Sequence, residues 1–141
     1  MSETHPVVIL LVEDDLGHAR LIEKNLQRSN ITNTIVHLTD GQQAIDYLLD
    51  EKTTAPVLVL LDLNMPVLDG YQVLKRMKEK PRTRRIPVVI LTTTDDVREV
   101  SRCYDLGCNV YITKPVDYQQ FSDAIRKLGL FLSVVTVPDG R

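Results

Sequence analysis

The chain has 141 residues, a length that suits one compact domain. Hydrophobic residues make up 43% and charged residues 26%, a balance that can close a core and that excludes a disordered chain. With 17 basic against 19 acidic residues the net charge is -2, so we expect neither nucleic acid nor an anionic membrane as the main partner.

The apolar runs are far shorter than the roughly 20 residues of a membrane span, and the N-terminus lacks the pattern of a secretory signal. We therefore expect a cytoplasmic protein. Cys103 and Cys108 are not spaced as a metal or redox pair, which favours reduced, buried thiols. The histidines are not spaced as zinc ligands.

The first half of the chain alternates short apolar runs with amphipathic segments. Residues 7–12 are aliphatic and β-branched, which is typical of a strand buried on both faces of a parallel sheet. Asp15 can cap the helix that follows, and residues 34–38 and 57–61 form further strands. Between those two strands, a helix opening at Asp40 and Gly41 is expected to turn four apolar residues inward: Ala44, Ile45, Leu48 and Leu49.

The second half continues the alternation, with strands over residues 87–91 and 110–112. A helix over residues 95–106 ends at Gly107, a residue that suits a left-handed stop. Two further helices have acidic caps, Asp69 and Asp117. The basic residues between positions 78 and 85 predict a solvated loop. Five strands alternating with five helices predict an α/β fold, with a parallel sheet covered on both faces.

Polar groups come directly after four of the predicted strands. Glu13 and Asp14 follow the first strand, Asp62 the third, Thr92 the fourth and Lys114 the fifth. Ligands of an open parallel sheet bind beyond the carboxyl ends of its strands. We therefore expect three carboxylates, a hydroxyl and an ammonium group to converge at one edge of the sheet.

Three carboxylates without histidine or cysteine favour a hard cation, and Mg²⁺ fits best, although Mn²⁺ or Ca²⁺ can replace it. We expect Asp14 and Asp62 to be direct ligands, Glu13 to reach the ion through water, and the backbone carbonyl of Asn64 to supply a further oxygen. Crowding of these acids raises their pKa values, and a metal ion offsets that repulsion.

An aspartate in this position can attack phosphorus and form an acyl phosphate. We expect Asp62 to be that nucleophile. The metal and the Lys114 ammonium would neutralise charge on the phosphoryl oxygens, and Thr92 would donate a hydrogen bond to one of them.

These motifs together resemble the receiver domain of two-component response regulators, over residues 7–131; they are Val12-Glu13-Asp14, Leu61-Asp62, Met65-Pro66, Asp69-Gly70, Thr92 and Thr113-Lys114-Pro115. The resemblance implies a flavodoxin-like, doubly wound (βα)5 fold with strand order 2-1-3-4-5. It implies that Asp62 takes phosphate from a histidine kinase and that the Lys114–Pro115 bond is cis. It also implies that Thr92 and Tyr111 are switch residues.

The switch hypothesis starts at the phosphoryl group, which draws in the hydroxyl of Thr92. The Tyr111 ring then turns inward, and the face made by the fourth helix, fifth strand and fifth helix changes shape. The chain would act only on its own phosphorylation state, and would not be an enzyme for other substrates.

A finer resemblance, to the small regulators paired with cyanobacterial phytochromes, is carried by residues 111–114 and 131–138. It implies that the partner kinase is a phytochrome. We expect a receiver domain over residues 1–131, an apolar C-terminal extension over residues 132–141, and no output domain. The apolar extension favours a homodimer through the fourth and fifth helices. A rim of four residues is a candidate kinase-docking site: His18, Ala19, Pro115 and Val116.

Three other functions are compatible with an aspartate or a ligand site at this edge of a parallel sheet. A phosphatase of the haloacid-dehalogenase type needs an acid two residues after the nucleophile, where this chain has Asn64. A flavodoxin-like electron carrier needs a phosphate-cradling loop after the first strand, where this chain has acids. A receiver-fold docking module that works without phosphorylation stays open as the alternative, although the complete set of site residues disfavours it.

Overall fold

A computed structural model describes residues 7–53 and 56–135. In this part of the chain five strands and five helices alternate: β1 (Val8–Val12), α1 (Leu16–Arg28), β2 (Ile35–Leu38), α2 (Gly41–Leu49), β3 (Val57–Leu61), α3 (Gly70–Glu79), β4 (Val88–Thr92), α4 (Val97–Leu106), β5 (Val110–Thr113) and α5 (Tyr118–Val135). The strands pair in parallel in the order β2-β1-β3-β4-β5. The predicted α/β fold and its strand order are confirmed.

The sheet is covered by two apolar layers because successive strand residues point to opposite faces. In β1, Leu10 and Val12 pack on the side of α2, α3 and α4. Ile9 and Leu11 pack on the side of α1 and α5, together with the fully buried Phe121. The carboxyl ends of all five strands are therefore left as the open edge at which a site can form.

Acidic N-cap residues precede the helices at the positions that the sequence predicts. Asp15 accepts from the His18 amide at 3.0 Å, and Asp69 forms a capping box with Gln72. Helix α4 begins at Val97, later than predicted, because Asp96 is its cap. Gly107 ends α4 with a φ of 104°, in the left-handed region.

Two details differ from the expectations for α2 and the C-terminal segment. Leu49 is 36% exposed, not inward, because it is the last residue of α2 and lies about 100° around the axis from buried Leu48. Helix α5 continues to Val135, so it crosses the expected boundary at residue 131. Residues 136–141 lie outside the described residues.

The cysteine prediction is confirmed, since Cys103 and Cys108 are free and buried. Burial raises the pKa of the Cys103 thiol to about 11 and that of Cys108 to about 12. The Lys114–Pro115 peptide bond is cis. Among the described residues, no helix has the length and apolar character to cross a membrane.

Candidate functional site

The pairing of β1 with β3 brings the acidic residues together. Leu61 pairs with Val12, and the Asp62 amide donates to the Val12 carbonyl at 3.0 Å. Glu13, Asp14 and Asp62 can each place one carboxylate oxygen so that all three oxygens lie within 4.8 Å of one another. The expected convergence of three carboxylates is therefore present at the carboxyl edge of the sheet.

The three carboxylates differ in exposure. Glu13 is 1% exposed and Asp62 is 7% exposed, whereas Asp14 faces solvent. Burial raises the pKa of Glu13 above its usual value, the Lys114 ammonium acts in the opposite direction, and Asp62 raises the pKa further. Crowded carboxylate oxygens of this kind form a hard donor set that fits a divalent cation such as Mg²⁺.

Lys114 reaches the acids from β5 across the sheet. Because β4 lies between β5 and β3, a long side chain on the residue after β5 is needed to bring a charged group towards Asp62. The ammonium contacts Glu13 Oε1 and lies 3.8 Å from Asp62 Oδ2, and the side chain is only 7% exposed. The expected ammonium is therefore at the site, where its close partner is Glu13.

His18 is a neighbour of this site that the strand-end argument did not find. Its Nδ1 lies 3.0 Å from Lys114 Nζ and 3.9 Å from Glu13 Oε1. The sequence carried one usable signal. An N-cap at Asp15 puts position 18 in the first turn of α1, directly after the acidic end of β1.

Thr92 ends β4 and is fully buried beside the acids. Its Oγ1 lies 3.5 Å from the side-chain nitrogen of Asn64, whose backbone amide lies 3.4 Å from Asp62 Oδ1. The loop after β3 thus connects the acidic cluster to the hydroxyl on the next strand.

The Tyr111 ring does not start where the switch hypothesis expects it, because that hypothesis has the ring turn inward only after phosphorylation. Its ring is buried in the core against α4, and its hydroxyl donates to the Thr94 carbonyl at 2.6 Å. Burial raises the pKa of this hydroxyl to about 12. The ring is already inward in this structure, where its hydroxyl satisfies the carbonyl two residues beyond Thr92.

A groove of about 460 Å³ lies between α1 and the segment after β5, next to Lys114. His18, Pro115 and Val116 of the predicted rim line it. Ala19 does not line the groove; it is 2% exposed and packs in the core with Ile22 and Leu26. Leu21, 60% exposed, lines the groove and was not predicted there.

Comparisons with known proteins identify one family. Residues 9–126 match the family described as the response regulator receiver domain. A receiver domain structure from Rhodospirillum rubrum is 57% identical with a TM-score of 0.75, covering 94% of this chain and 97% of that one.

Two named response regulators are also similar. Response regulator Rcp1 of Synechocystis is 38% identical over 94% of each chain, and its Mn²⁺-bound structure has a TM-score of 0.75, covering 90% of this chain and 94% of that one. The phosphorylated cyanobacterial phytochrome response regulator RcpA is 35% identical with a TM-score of 0.76, covering 96% of this chain and 99% of that one.

Proposed function

Because this chain belongs to the response regulator receiver domain family, we propose that it accepts a phosphoryl group on Asp62 from a histidine kinase. One observation carries the proposal. Asp62 lies at the carboxyl end of β3, nearly buried, with two further carboxylates and the Lys114 ammonium around it. The Lys114 ammonium can neutralise negative charge on a transferred phosphoryl group, and the carboxylates can hold a cation that does the same. Asp62 is therefore suited to act as the nucleophile in phosphoryl transfer.

In the transfer, an Asp62 carboxylate oxygen attacks the phosphorus of a phosphohistidine. A phosphorus–oxygen bond forms, the phosphorus–nitrogen bond breaks, and the histidine nitrogen keeps the electron pair. Lys114 neutralises charge on a phosphoryl oxygen, and Thr92 then donates its hydroxyl to another. Thr92 and Lys114 pair with the phosphoryl group in one state only, which supplies the differential binding that a switch needs.

Mg²⁺ supplies charge neutralisation when it is bound. Asp14 and Asp62 are the proposed direct ligands, with Glu13 acting through water and Asn64 through its backbone carbonyl. Two observations support the site: the closeness of the three carboxylates, and the rise in the pKa of Glu13 to which Asp62 contributes. The Mn²⁺-bound form of the relative Rcp1 points to the same class of ion.

The groove beside Lys114 is the proposed docking surface for the kinase, which we take to be a phytochrome because the cyanobacterial phytochrome response regulator RcpA is similar to this chain. Exposed Leu21 offers an apolar anchor, and His18, Pro115 and Val116 line the same groove as Lys114. Leu21→Ser should slow transfer from such a kinase and leave labelling by a small donor unchanged.

For the switch, we propose that phosphorylation biases the hydrogen bond between Tyr111 and the Thr94 carbonyl, since Thr94 follows Thr92 by two residues. A shift of Thr92 towards the phosphoryl group moves this segment, and the α4–β5–α5 face changes with it. The inward ring would be one of two arrangements, and phosphorylation would change their populations.

The receiver domain over residues 1–131 and the apolar extension over residues 132–141 are proposed to act together in a homodimer through α4 and α5. The apolar residues of the C-terminal segment are too many to leave in water. Deleting residues 132–141 should lower the mass in solution from dimer to monomer. An unchanged dimer would remove this segment from the interface.

Acid-labile labelling tests the phosphorylation proposal. Incubation with acetyl phosphate and Mg²⁺ should label the wild-type protein, and Asp62→Asn should abolish the label because the amide cannot attack phosphorus. Asp46→Asn, at an exposed position of α2, is the matched control and should label at the wild-type rate. No label on the wild type would favour the alternative, a docking module that works without phosphorylation.

A further inference from the structure

His18 makes a contact that the chemistry described above does not use. Its Nδ1 lies 3.0 Å from the Lys114 ammonium, although the two residues are 96 positions apart in the chain. An ammonium group only donates hydrogen bonds, so Nδ1 is the acceptor in this contact. The histidine therefore supplies a hydrogen-bond acceptor beside the lysine.

The ammonium has three N–H groups, and two of them have partners in the structure. One contacts Glu13 Oε1 and one is directed to His18, while Asp62 Oδ2, at 3.8 Å, is beyond hydrogen-bond distance. A phosphoryl group on Asp62 extends further than the carboxylate does. It can therefore meet the third N–H while the lysine keeps its contacts with Glu13 and His18.

A single acceptor would not fix the ammonium of a side chain with four rotatable bonds. Lysine carries about 2 kcal/mol of rotamer entropy, and a second acceptor in a different direction restricts the swing about the first. Helix α1 holds that second acceptor in place, since Asp15 caps it by accepting from the His18 amide at 3.0 Å. A group preorganised in this way stabilises charge without reorganising during transfer.

We propose that His18 is a positioning residue for phosphoryl transfer, which holds the Lys114 ammonium over Asp62 by accepting a hydrogen bond at Nδ1. The inference rests on the proposed role of Asp62. His18 touches neither the phosphorus nor the nucleophile, and it acts through the lysine.

Two variants separate the acceptor from the bulk of the side chain. In His18→Asn the amide oxygen takes the place of Nδ1, at the same number of bonds from the backbone, whereas His18→Leu fills similar space without an acceptor. Acetyl phosphate is the donor of choice, because it does not use the docking groove that His18 also lines.

At saturating acetyl phosphate and Mg²⁺, His18→Leu should lower the labelling rate constant about tenfold, the scale of one lost charge-assisted hydrogen bond, and His18→Asn should restore it to within about twofold of wild type. The Mn²⁺ affinity measured by paramagnetic resonance should be the same in all three proteins. The ¹⁵N NMR signal of the Lys114 ammonium should be visible in the wild type and in His18→Asn, and lost in His18→Leu through faster exchange.

Equal labelling rates in wild type and His18→Leu would overturn the positioning role, and so would equal loss in both variants, because the amide oxygen of His18→Asn would then fail to replace Nδ1 as the acceptor. A changed Mn²⁺ affinity in His18→Leu would also overturn it, since the defect would then lie at the acids. A wild-type protein that takes no label at all would instead overturn the proposed role of Asp62, and the positioning role with it.

Discussion

Both edges of the sheet are made of loops and both are rich in charge, yet among the described residues the buried charged groups lie at the carboxyl edge. At the carboxyl edge Glu13, Asp62 and Lys114 lie almost fully covered. At the opposite edge, between α3 and β4, the charged groups are exposed: Lys80, Arg82, Arg84 and Arg85. The prediction of a solvated basic loop is therefore confirmed for these four residues, whereas Lys78 lies in α3 and is half-buried.

The two edges also satisfy their polar groups differently. Exposed Arg82 ties two loops together by donating to the Asp50 and Thr53 carbonyls at 2.6 and 3.2 Å, a contact in water that contributes little. Glu13 and Lys114 are removed from water, where a charge without a partner is costly. Charge content therefore does not distinguish a functional edge from an ordinary one, but the burial of charge does.

The largest difference between the two edges is expected in the unfolding free energy when one cationic side chain is removed from each. Lys114→Met should lower the metal-free unfolding free energy by about 3 kcal/mol at neutral pH, because Glu13 is left buried without its counter-charge. Arg84→Met at the opposite edge should change it by less than about 0.5 kcal/mol. Urea denaturation in chelator measures both.

The loss in Lys114→Met should depend on pH in a defined direction. The pKa of Glu13 is raised in the folded protein, so folding favours its protonated form. Below its unfolded pKa of 4.5, Glu13 is neutral in both the folded and the unfolded state, so the stability loss of Lys114→Met is absent. The loss grows as the pH rises through the raised pKa of Glu13 in the folded protein. Equal losses in the two variants, or a loss independent of pH, would contradict the comparison.

A somewhat smaller effect is expected from Mg²⁺, which should act at the carboxyl edge alone. At a concentration of about 100 times its Kd, the ion should add about 2.7 kcal/mol to the wild-type unfolding free energy. Asp14→Asn should be at least as stable as wild type in chelator, because it relieves carboxylate repulsion, and should lose most of the gain from Mg²⁺.

Asp105→Asn, on the exposed side of α4, is the matched control for that measurement and should keep the full gain. Urea or thermal denaturation with and without Mg²⁺ checks the three proteins. If Asp14→Asn kept the full increase in unfolding free energy with Mg²⁺, the ion would bind elsewhere, and the proposed metal site at the carboxyl edge would be wrong.

The alternation of buried strands and capped helices, and hence the set of residues at the carboxyl edge, can be predicted from the amino-acid sequence. These features are local, since a strand of five apolar residues or a cap such as Asp69 depends on near neighbours in the chain. Glu13, Asp14 and Asp62 could be placed at one edge because parallel strands end there.

The partners at that edge depend on contacts between residues far apart in the chain. Lys114 pairs with Glu13, 101 positions away, because the sheet brings the ends of β1 and β5 near each other, and its contact with His18 depends on how α1 lies beside the segment after β5. The exclusion of Ala19 from the groove depends on the packing of α1, and the inward ring of Tyr111 depends on packing in the layer that contains α4. Periodicity tells which side of an element is apolar, but the distance between two side chains is set by the packing of whole elements against one another.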